Sequence, residues 1–94
     1  MKYHSWNNDK NEKLKKERNI SFEDVIYYIE HGNLLAILKH TDQKKYPGQK
    51  VYVLEINNYA YLVPFIETEN EIFLKTIIPS RKATKIYLEV KDEK

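Results

Sequence analysis

The sequence contains no cysteine, only two glycines and three prolines, and no long uncharged apolar run. Without cysteine there is neither a disulfide framework nor a thiolate metal site, and the three scattered histidines show no ligand spacing. We therefore expect no metal and no cofactor. A membrane helix needs about 20 apolar residues, and polar residues stand where a signal peptide would be apolar. These absences predict a cytoplasmic protein that does not associate with membrane.

The length of the chain predicts a single domain. Its 94 residues suffice for one hydrophobic core and are too few for two that are independently stable. The 41% hydrophobic and 32% charged fractions are typical of a globular domain with a highly solvated surface. We expect residues 1–94 to form one folding unit.

Charge is strongly segregated along the sequence, although the net charge is only +2. All 16 basic residues fall in three blocks, at 2–18, 39–50 and 75–94. The two stretches between these blocks contain acids and no lysine or arginine. Surface charges also cluster by chance, but a fold that brings the blocks together would present a positive face to a polyanion.

Two helices are predicted near the start of the chain. Residues 8–18 contain good helix formers with little apolar surface, so we expect a mostly exposed helix anchored by Trp6 and Leu14. A second, amphipathic helix is predicted from Ser21 to about His31. Ser21 and Asp24 stand in capping-box positions at its start, so its beginning is well specified.

The period of the pattern changes to that of strands from Leu34 onward. Strands are predicted at 34–40, 50–57, 59–66 and 71–78, with Asn57-Asn58 as a tight hairpin turn. Pro64 cannot donate a ladder hydrogen bond, so its strand is expected at a sheet edge or with a bulge. Residues 3–6 are a further short extended piece.

A third helix closes the chain, with Ser80 as its cap and Ala83, Ile86, Tyr87 and Val90 as its apolar stripe. The predicted class is α+β: two N-terminal helices, a three- or four-stranded antiparallel sheet and a C-terminal helix. We expect the helices on one side of the sheet, as a two-layer sandwich.

Both ends of the chain resemble motifs of a known family. Trp6, Lys10-Asn11 and the Ile-Ser-Phe-Glu-Asp of residues 20–24 are similar to an opening in which an aromatic-Asp start leads through a basic helix into Val-Ser-Phe-Glu. Residues 77–84 are similar to a closing stretch in which two isoleucines run into Ser-Ala-Arg-Arg-Ala-Thr. Over most of its length the chain thus resembles the BrnT toxins, within the RelE-like class. Residues 17–19 replace the family's Lys-His-Gly, so no histidine role carries over to that turn.

The resemblance implies a RelE-like fold and the toxin of a type II toxin-antitoxin system that cleaves RNA without a metal. It also implies a ribbon-helix-helix antitoxin as partner, and contact with operator DNA only through that antitoxin. In such cleavage the 2′-hydroxyl of RNA attacks the neighbouring phosphate, so the protein must supply a base, a proton donor and positioned cations.

Eight residues are candidates for this chemistry. Arg81 is a candidate because a planar guanidinium can bind two phosphate oxygens at once and because it stands beside a predicted helix start. The alternative is an ordinary surface arginine. His40 is a candidate acid or base, because histidine is the residue type that changes charge near neutral pH; the alternative is an ordinary loop histidine. The remaining catalytic candidates are Lys16 and Glu17, although Glu17 also stands four after Lys13 as a surface ion pair. The RNA-binding candidates are Lys10, Lys75, Lys82 and Tyr46, the last as a stacking platform.

This centre requires Arg81, the His40 loop and the first helix to border one concavity. Two alternatives stay open. In the first, a non-catalytic module of the same fold uses its basic face to bind nucleic acid or its helices to bind a protein partner. In the second, the charge segregation reflects only assembly with an acidic antitoxin surface.

Overall fold

Helices and strands follow each other in the predicted order, with more strands than expected. The computed structural model describes residues 2–89. In chain order the elements are β1 (Tyr3–Ser5), α1 (Asn8–Arg18), α2 (Phe22–Glu30), β2 (Leu34–Lys39), β3 (Gln49–Ile56), β4 (Tyr59–Glu67), β5 (Glu71–Leu74), β6 (Ile78–Pro79) and α3 (Arg81–Thr84), which continues into a π-helical turn, Lys85–Glu89. The α+β class is confirmed.

The end of α1 and the start of α2 lie where the sequence predicts. Helix α1 ends at Asn19, whose φ of 55° is left-handed. The predicted capping box of α2 is present, since Ser21 Oγ accepts from the Asp24 amide and Asp24 accepts from the Ser21 amide. Leu14 is buried and Trp6 stacks on Phe22, with ring centroids 5.6 Å apart, so the predicted anchoring of α1 is confirmed.

A buried amide that the sequence reading missed joins the two helices. Asn11 of α1 is 3% exposed. Its Oδ1 accepts from the Phe22 amide at 2.7 Å, and its Nδ2 donates to Glu23 Oε1 at 2.8 Å. The bond from Asn11 is also the main reason why the pKa of Glu23 is lowered. Asn11 therefore satisfies a first-turn amide of α2 that would otherwise lack a partner.

The sheet is mixed and six-stranded, in the order β1-β5-β4-β3-β2, with β6 also paired to β4. The prediction of a purely antiparallel sheet is wrong because β1 pairs in parallel with β5, Tyr3 lying opposite Glu71. The predicted hairpin between β3 and β4 is confirmed. Asn57 and Asn58 have φ of 55° and 66°, as a two-residue turn of the hairpin type requires.

Pro64 lies in a central strand, so its predicted place at an edge or a bulge is wrong. The register from the tight hairpin puts Pro64 opposite Val51 in a pair without mutual hydrogen bonds, so its nitrogen points away from β3. On that outer side β5 pairs only as far as Phe65 and β6 begins only at Leu62. The missing N–H thus falls where the ladder is interrupted, and the Pro64 carbonyl still accepts from the Lys75 amide at 2.8 Å.

Helices pack on both faces of the sheet, which corrects the predicted two-layer sandwich. On one face, here called the α1 face, Tyr52 and Leu54 of β3 join the core of α1 and α2. On the other, the α3 face, Val53 of β3 packs with Ala60 and Ala83. Because successive strand residues point to opposite sides, Val53 and Leu54 fix α3 on the side away from α1.

The predicted apolar stripe of the last helix is correct only in part. Ala83 is buried, and Tyr87 and Leu88 pack against the same cluster, but Ile86 is 51% exposed. The π-helical turn has more residues per turn than an α-helix, so it rotates Ile86 away from the sheet and brings Leu88 toward it. The predicted contribution of Val90 lies outside the described residues.

Candidate functional site

The candidate residues are divided between the two faces of the sheet. Helix α1 carries three of them, Lys10, Lys16 and Glu17, on one side. Arg81 and Lys82 begin α3 on the other side. A single concavity that joins these regions would therefore have to be lined from both faces of the sheet, which the packing of α1 and α3 does not favour.

The start of α3 is fixed by a serine and a threonine, which hold Arg81 and Lys82 toward solvent. Ser80 Oγ accepts from the Ala83 amide at 3.0 Å, as the predicted cap. The buried Thr84 donates to the Ser80 carbonyl at 2.8 Å, and its Oγ1 accepts from the Ala60 amide at 2.9 Å. This second bond links the helix directly to β4.

Arg81 and Lys82 are exposed and are not neutralised by described acids. The salt bridges within residues 2–89 are Lys2–Glu67, Lys50–Glu67 and Lys15–Glu12. The expected amide donors beside Arg81 are partly used, because the Ala83 amide binds the Ser80 hydroxyl and the Thr84 amide binds the Ser80 carbonyl. An anion at this turn would therefore meet mainly the positive side chains of Arg81 and Lys82, and fewer free backbone amides.

The loop between β2 and β3 carries the stacked pair His40 and Tyr46. Their ring centroids lie 4.2 Å apart, with 34° between the ring planes. His40 Nδ1 accepts from the Asp42 amide at 3.0 Å, so the neutral imidazole carries its proton on Nε2. The His40 ring can therefore offer a proton to a ligand only through Nε2.

His40 lies on the same side of the sheet as α3. Its amide donates to the Gln49 carbonyl at 3.0 Å, so the ladder with β3 continues for one residue beyond Lys39. Strand alternation then gives His40 the orientation of Leu38, which pairs with Val51 on the α3 face. His40, Tyr46, Arg81 and Lys82 thus share a side, whereas the candidates on α1 do not.

An apolar groove lies between the end of β2 and α3. Its volume is about 180 Å³. The lining side chains are mainly apolar, with one lysine among them: Leu38, Val53, Leu62, Lys82, Ile86 and Tyr87. Leu38 stands two residues before His40 and Lys82 follows Arg81, so the groove lies between the two groups of polar candidates. An extended ligand that contacts both groups must pass over it.

The remaining candidates are simple surface residues. Lys16 and Glu17 are exposed on α1, and Lys75 is exposed at the break between β5 and β6. Glu17 makes no salt bridge with Lys13 among the described residues. The ion pair on α1 joins Glu12 and Lys15, at 3.2 Å. The next residue after Glu17 makes the tertiary contact: Arg18 donates to the Ile77 carbonyl at 2.5 Å.

The sequence reading missed a polar cluster on the α1 face, formed by Lys2, His4, Lys50, Tyr52 and Glu67. Lys2 and Lys50 each reach Glu67 at 2.6 Å, and these two hydrogen bonds lower the pKa of Glu67 to about 2. His4 Nε2 and the Tyr52 hydroxyl are 3.2 Å apart. Burial lowers the pKa of His4 and raises the pKa of Tyr52. The negative charge of Glu67 raises the pKa of Tyr52 further.

This cluster ties the N-terminal strand to the middle of the sheet. Both carboxylate oxygens of Glu67 are occupied by lysines, and His4 and Tyr52 are occupied by each other. The alternation of Lys50 and Tyr52 indicated that they share a face, but Lys2 and Glu67 are 65 residues apart in the sequence. No local sequence pattern predicts a pair of residues so far apart in the chain.

Within residues 2–89 no helix is long and apolar enough to cross a membrane. No group of three or more histidine, aspartate or glutamate side chains there is arranged to hold a metal ion. The chain matches no protein-family model, no curated protein and no solved structure. The resemblance to BrnT toxins therefore stays a prediction from the sequence, and the arguments below rest on the geometry of the α3 face.

Proposed function

We propose that the protein is an RNA-cleaving toxin of a type II toxin-antitoxin system and that RNA lies across its α3 face. The observation that supports this proposal is that the His40–Tyr46 loop and the Arg81–Lys82 turn lie on the same face of the sheet, with one groove between them. Cations that no described acid neutralises, beside a half-buried aromatic-histidine pair, suit a single-stranded polyanion with unstacked bases.

Each residue of the proposed site has a separate role. Arg81 and Lys82 bind phosphate oxygens, and Arg81 stabilises the extra negative charge that develops on the phosphorus centre when the 2′-hydroxyl attacks. Solvent water takes the proton of the attacking 2′-hydroxyl. The His40 ring, once it has taken up a second proton on Nδ1 and released the Asp42 amide, gives its Nε2 proton to the departing 5′-oxygen. Tyr46 stacks on a neighbouring base. Lys16 and Glu17 are excluded from this set because they lie on the α1 face.

The test is cleavage of an end-labelled single-stranded RNA by the purified chain. We expect products that end in 2′,3′-cyclic phosphate, and a loss of at least 100-fold in rate for Arg81→Ala, as for removal of one transition-state donor. His40→Ala should lose rate by about 100-fold as a proton donor. Circular dichroism must show that both variants are folded.

Lys16→Ala and Glu17→Ala are the matched controls, since both residues are exposed on the opposite face. These variants should cleave at the wild-type rate. Cleavage that depends on Lys16 or Glu17 and not on Arg81 would place the centre on the α1 face and refute the proposal.

A binding module without catalysis is the second candidate. It is favoured by the surroundings of His40, because within residues 2–89 its ring nitrogens bind only the Asp42 amide and no second proton-transfer group. In that case RNA stays intact and is retarded in a gel. Its affinity should fall steeply with salt, and Arg81→Ala should reduce the logarithmic salt slope by about one unit.

The proposal includes a protein partner and a compartment. A ribbon-helix-helix antitoxin would neutralise the toxin in the cytoplasm and would itself contact operator DNA. The product of the adjacent reading frame is the natural probe. If it is that antitoxin, its presence at 100 times Kd raises the stability of this chain by about 2.7 kcal/mol through mass action. An unchanged melting temperature would refute the pairing.

A further inference from the structure

Strand β2 forms one edge of the sheet and carries no charge over most of its length. The strand order places β2 last, and its strand partner within residues 2–89 is β3 alone. From Leu34 to Leu38 every residue is apolar, and Lys39 is the first charged one. Natural edge strands are usually protected by charges, proline or a covering segment, because their unpaired backbone groups attract other strands.

The hydrogen-bond register identifies which backbone groups of β2 are unpaired. The amide of His40 donates to the Gln49 carbonyl, so His40 stands at a position whose backbone groups point toward β3, although the Gln49 amide itself donates to the Tyr46 carbonyl. In an antiparallel ladder such positions recur at every second residue, so Leu38 also bonds to β3. The amide and carbonyl groups of Ile37 and Lys39 therefore point outward from the sheet.

Apolar side chains surround this open edge on both faces. Ile37 is 52% exposed on the α1 face, and Leu38 is 43% exposed on the α3 face. Ile86, at 51% exposed, lines the groove together with Leu38. A strand added beside β2 would cover Ile37 on one side and extend the groove wall on the other.

The charges near the edge indicate the chemistry of the strand that would bind. Five lysines lie at or near this end of β2, namely Lys39, Lys44, Lys45, Lys50 and Lys82. Lys39 lies directly opposite Lys50, and Lys50 shares Glu67 with Lys2. These positive charges favour a strand that carries carboxylates at the matching positions.

We propose that the free edge of β2 takes an extended acidic segment of a protein partner as an added strand, held by the outward groups of Ile37 and Lys39. The side chains of that segment would alternate between carboxylates toward the lysines and apolar groups toward Ile37 or Leu38. This mode of binding supplies main-chain hydrogen bonds for affinity and side-chain pockets for specificity. It does not depend on RNA cleavage.

A blocked peptide of alternating glutamate and valine is the probe, titrated into the full chain and followed by NMR. The Ile37 and Lys39 amides should shift and gain protection from hydrogen exchange, whereas the Leu38 amide is already protected in the free protein. The same peptide with N-methylated backbone should bind at least tenfold more weakly, and a lysine-valine peptide of equal length should not bind measurably.

Ile37→Glu should raise Kd for the acidic peptide at least tenfold, because it removes an apolar contact and adds a charge of the same sign as the peptide. Ile78→Glu is its control, because Ile78 is 40% exposed but lies on β6, which pairs with β4. The wild-type comparison with the N-methylated peptide stands even if a variant fails to fold. Equal binding of the lysine peptide, equal binding of the methylated peptide, shifts confined to other strands, or a protein dimer that protects β2 would each overturn the proposal.

Discussion

The threonine that docks α3 allows a quantitative test of how the candidate site is built. Thr84 is 4% exposed, and its Oγ1 accepts the hydrogen bond of the fully buried Ala60 amide. Thr84→Val keeps the volume and the branching at Cβ, so helix propensity changes little. The variant leaves the Ala60 amide without a partner, at a cost of about 1–3 kcal/mol in the free energy of unfolding.

Urea denaturation monitored by circular dichroism measures this loss. With an m-value of about 1.5 kcal/mol per M, the midpoint should fall by about 0.7–2 M. Thr84→Ser is the control, because it keeps the hydroxyl and removes only a methyl group, worth about 0.8 kcal/mol. A Thr84→Val protein as stable as wild type, or more stable than Thr84→Ser, would refute the assignment of this hydrogen bond as the anchor of α3.

Two further predictions concern the other face of the sheet. The pKa of Glu67 is held at about 2 in the folded state by Lys2 and Lys50, below its ordinary 4.5, so its stabilising contribution is full above about pH 4.5 and is lost as pH falls toward 2. Acid titration should therefore show wild type and Glu67→Gln converging in stability between pH 5 and pH 2, and a gap that is independent of pH would contradict this reasoning. Asn11→Ala removes the acceptor of the buried Phe22 amide and should lower the free energy of unfolding by about 1–3 kcal/mol, measured in urea. A midpoint within error of wild type would show that water or another group satisfies that amide.

Local signals in the sequence specified most of the elements. The Ser21 and Asp24 pair, the left-handed Asn19 and the Asn57-Asn58 turn each act over a few residues, so their chemistry can be recognised without the rest of the fold. Ser80 likewise marked the start of α3. Such caps and turns fix boundaries but do not decide which face of a sheet a helix covers.

The arrangement of the layers depended on contacts that no short window contains. The parallel pairing of β1 with β5 joins Tyr3 to Glu71, and Thr84 reaches back to Ala60. The alternation along β3 left both of its faces apolar at Val53 and Leu54, which allows helices on both sides. Amphipathic patterns alone could not choose between one covered face and two.

The candidate site was predictable in its parts and not in its assembly. His40 and Tyr46 lie in one loop, so their proximity follows from the chain itself. The placement of Arg81 relative to α1 required the side of the sheet on which α3 packs. The basic blocks of the sequence therefore favoured a prediction of polyanion binding. They could not show that the first block, on α1, and the last block, at the start of α3, lie on opposite faces of the sheet.

The unequal size of the two cores has a consequence for the local stability of the α3 side. The α1 face buries a large apolar cluster, whereas the apolar side chains buried on the α3 face within residues 2–89 are those of Val53, Ala60 and Ala83. Elements with few buried contacts open at lower free energy than the remainder of a domain. The short helix that carries Arg81 should therefore open at a lower free energy than the α1 side, which stays packed on its own larger core.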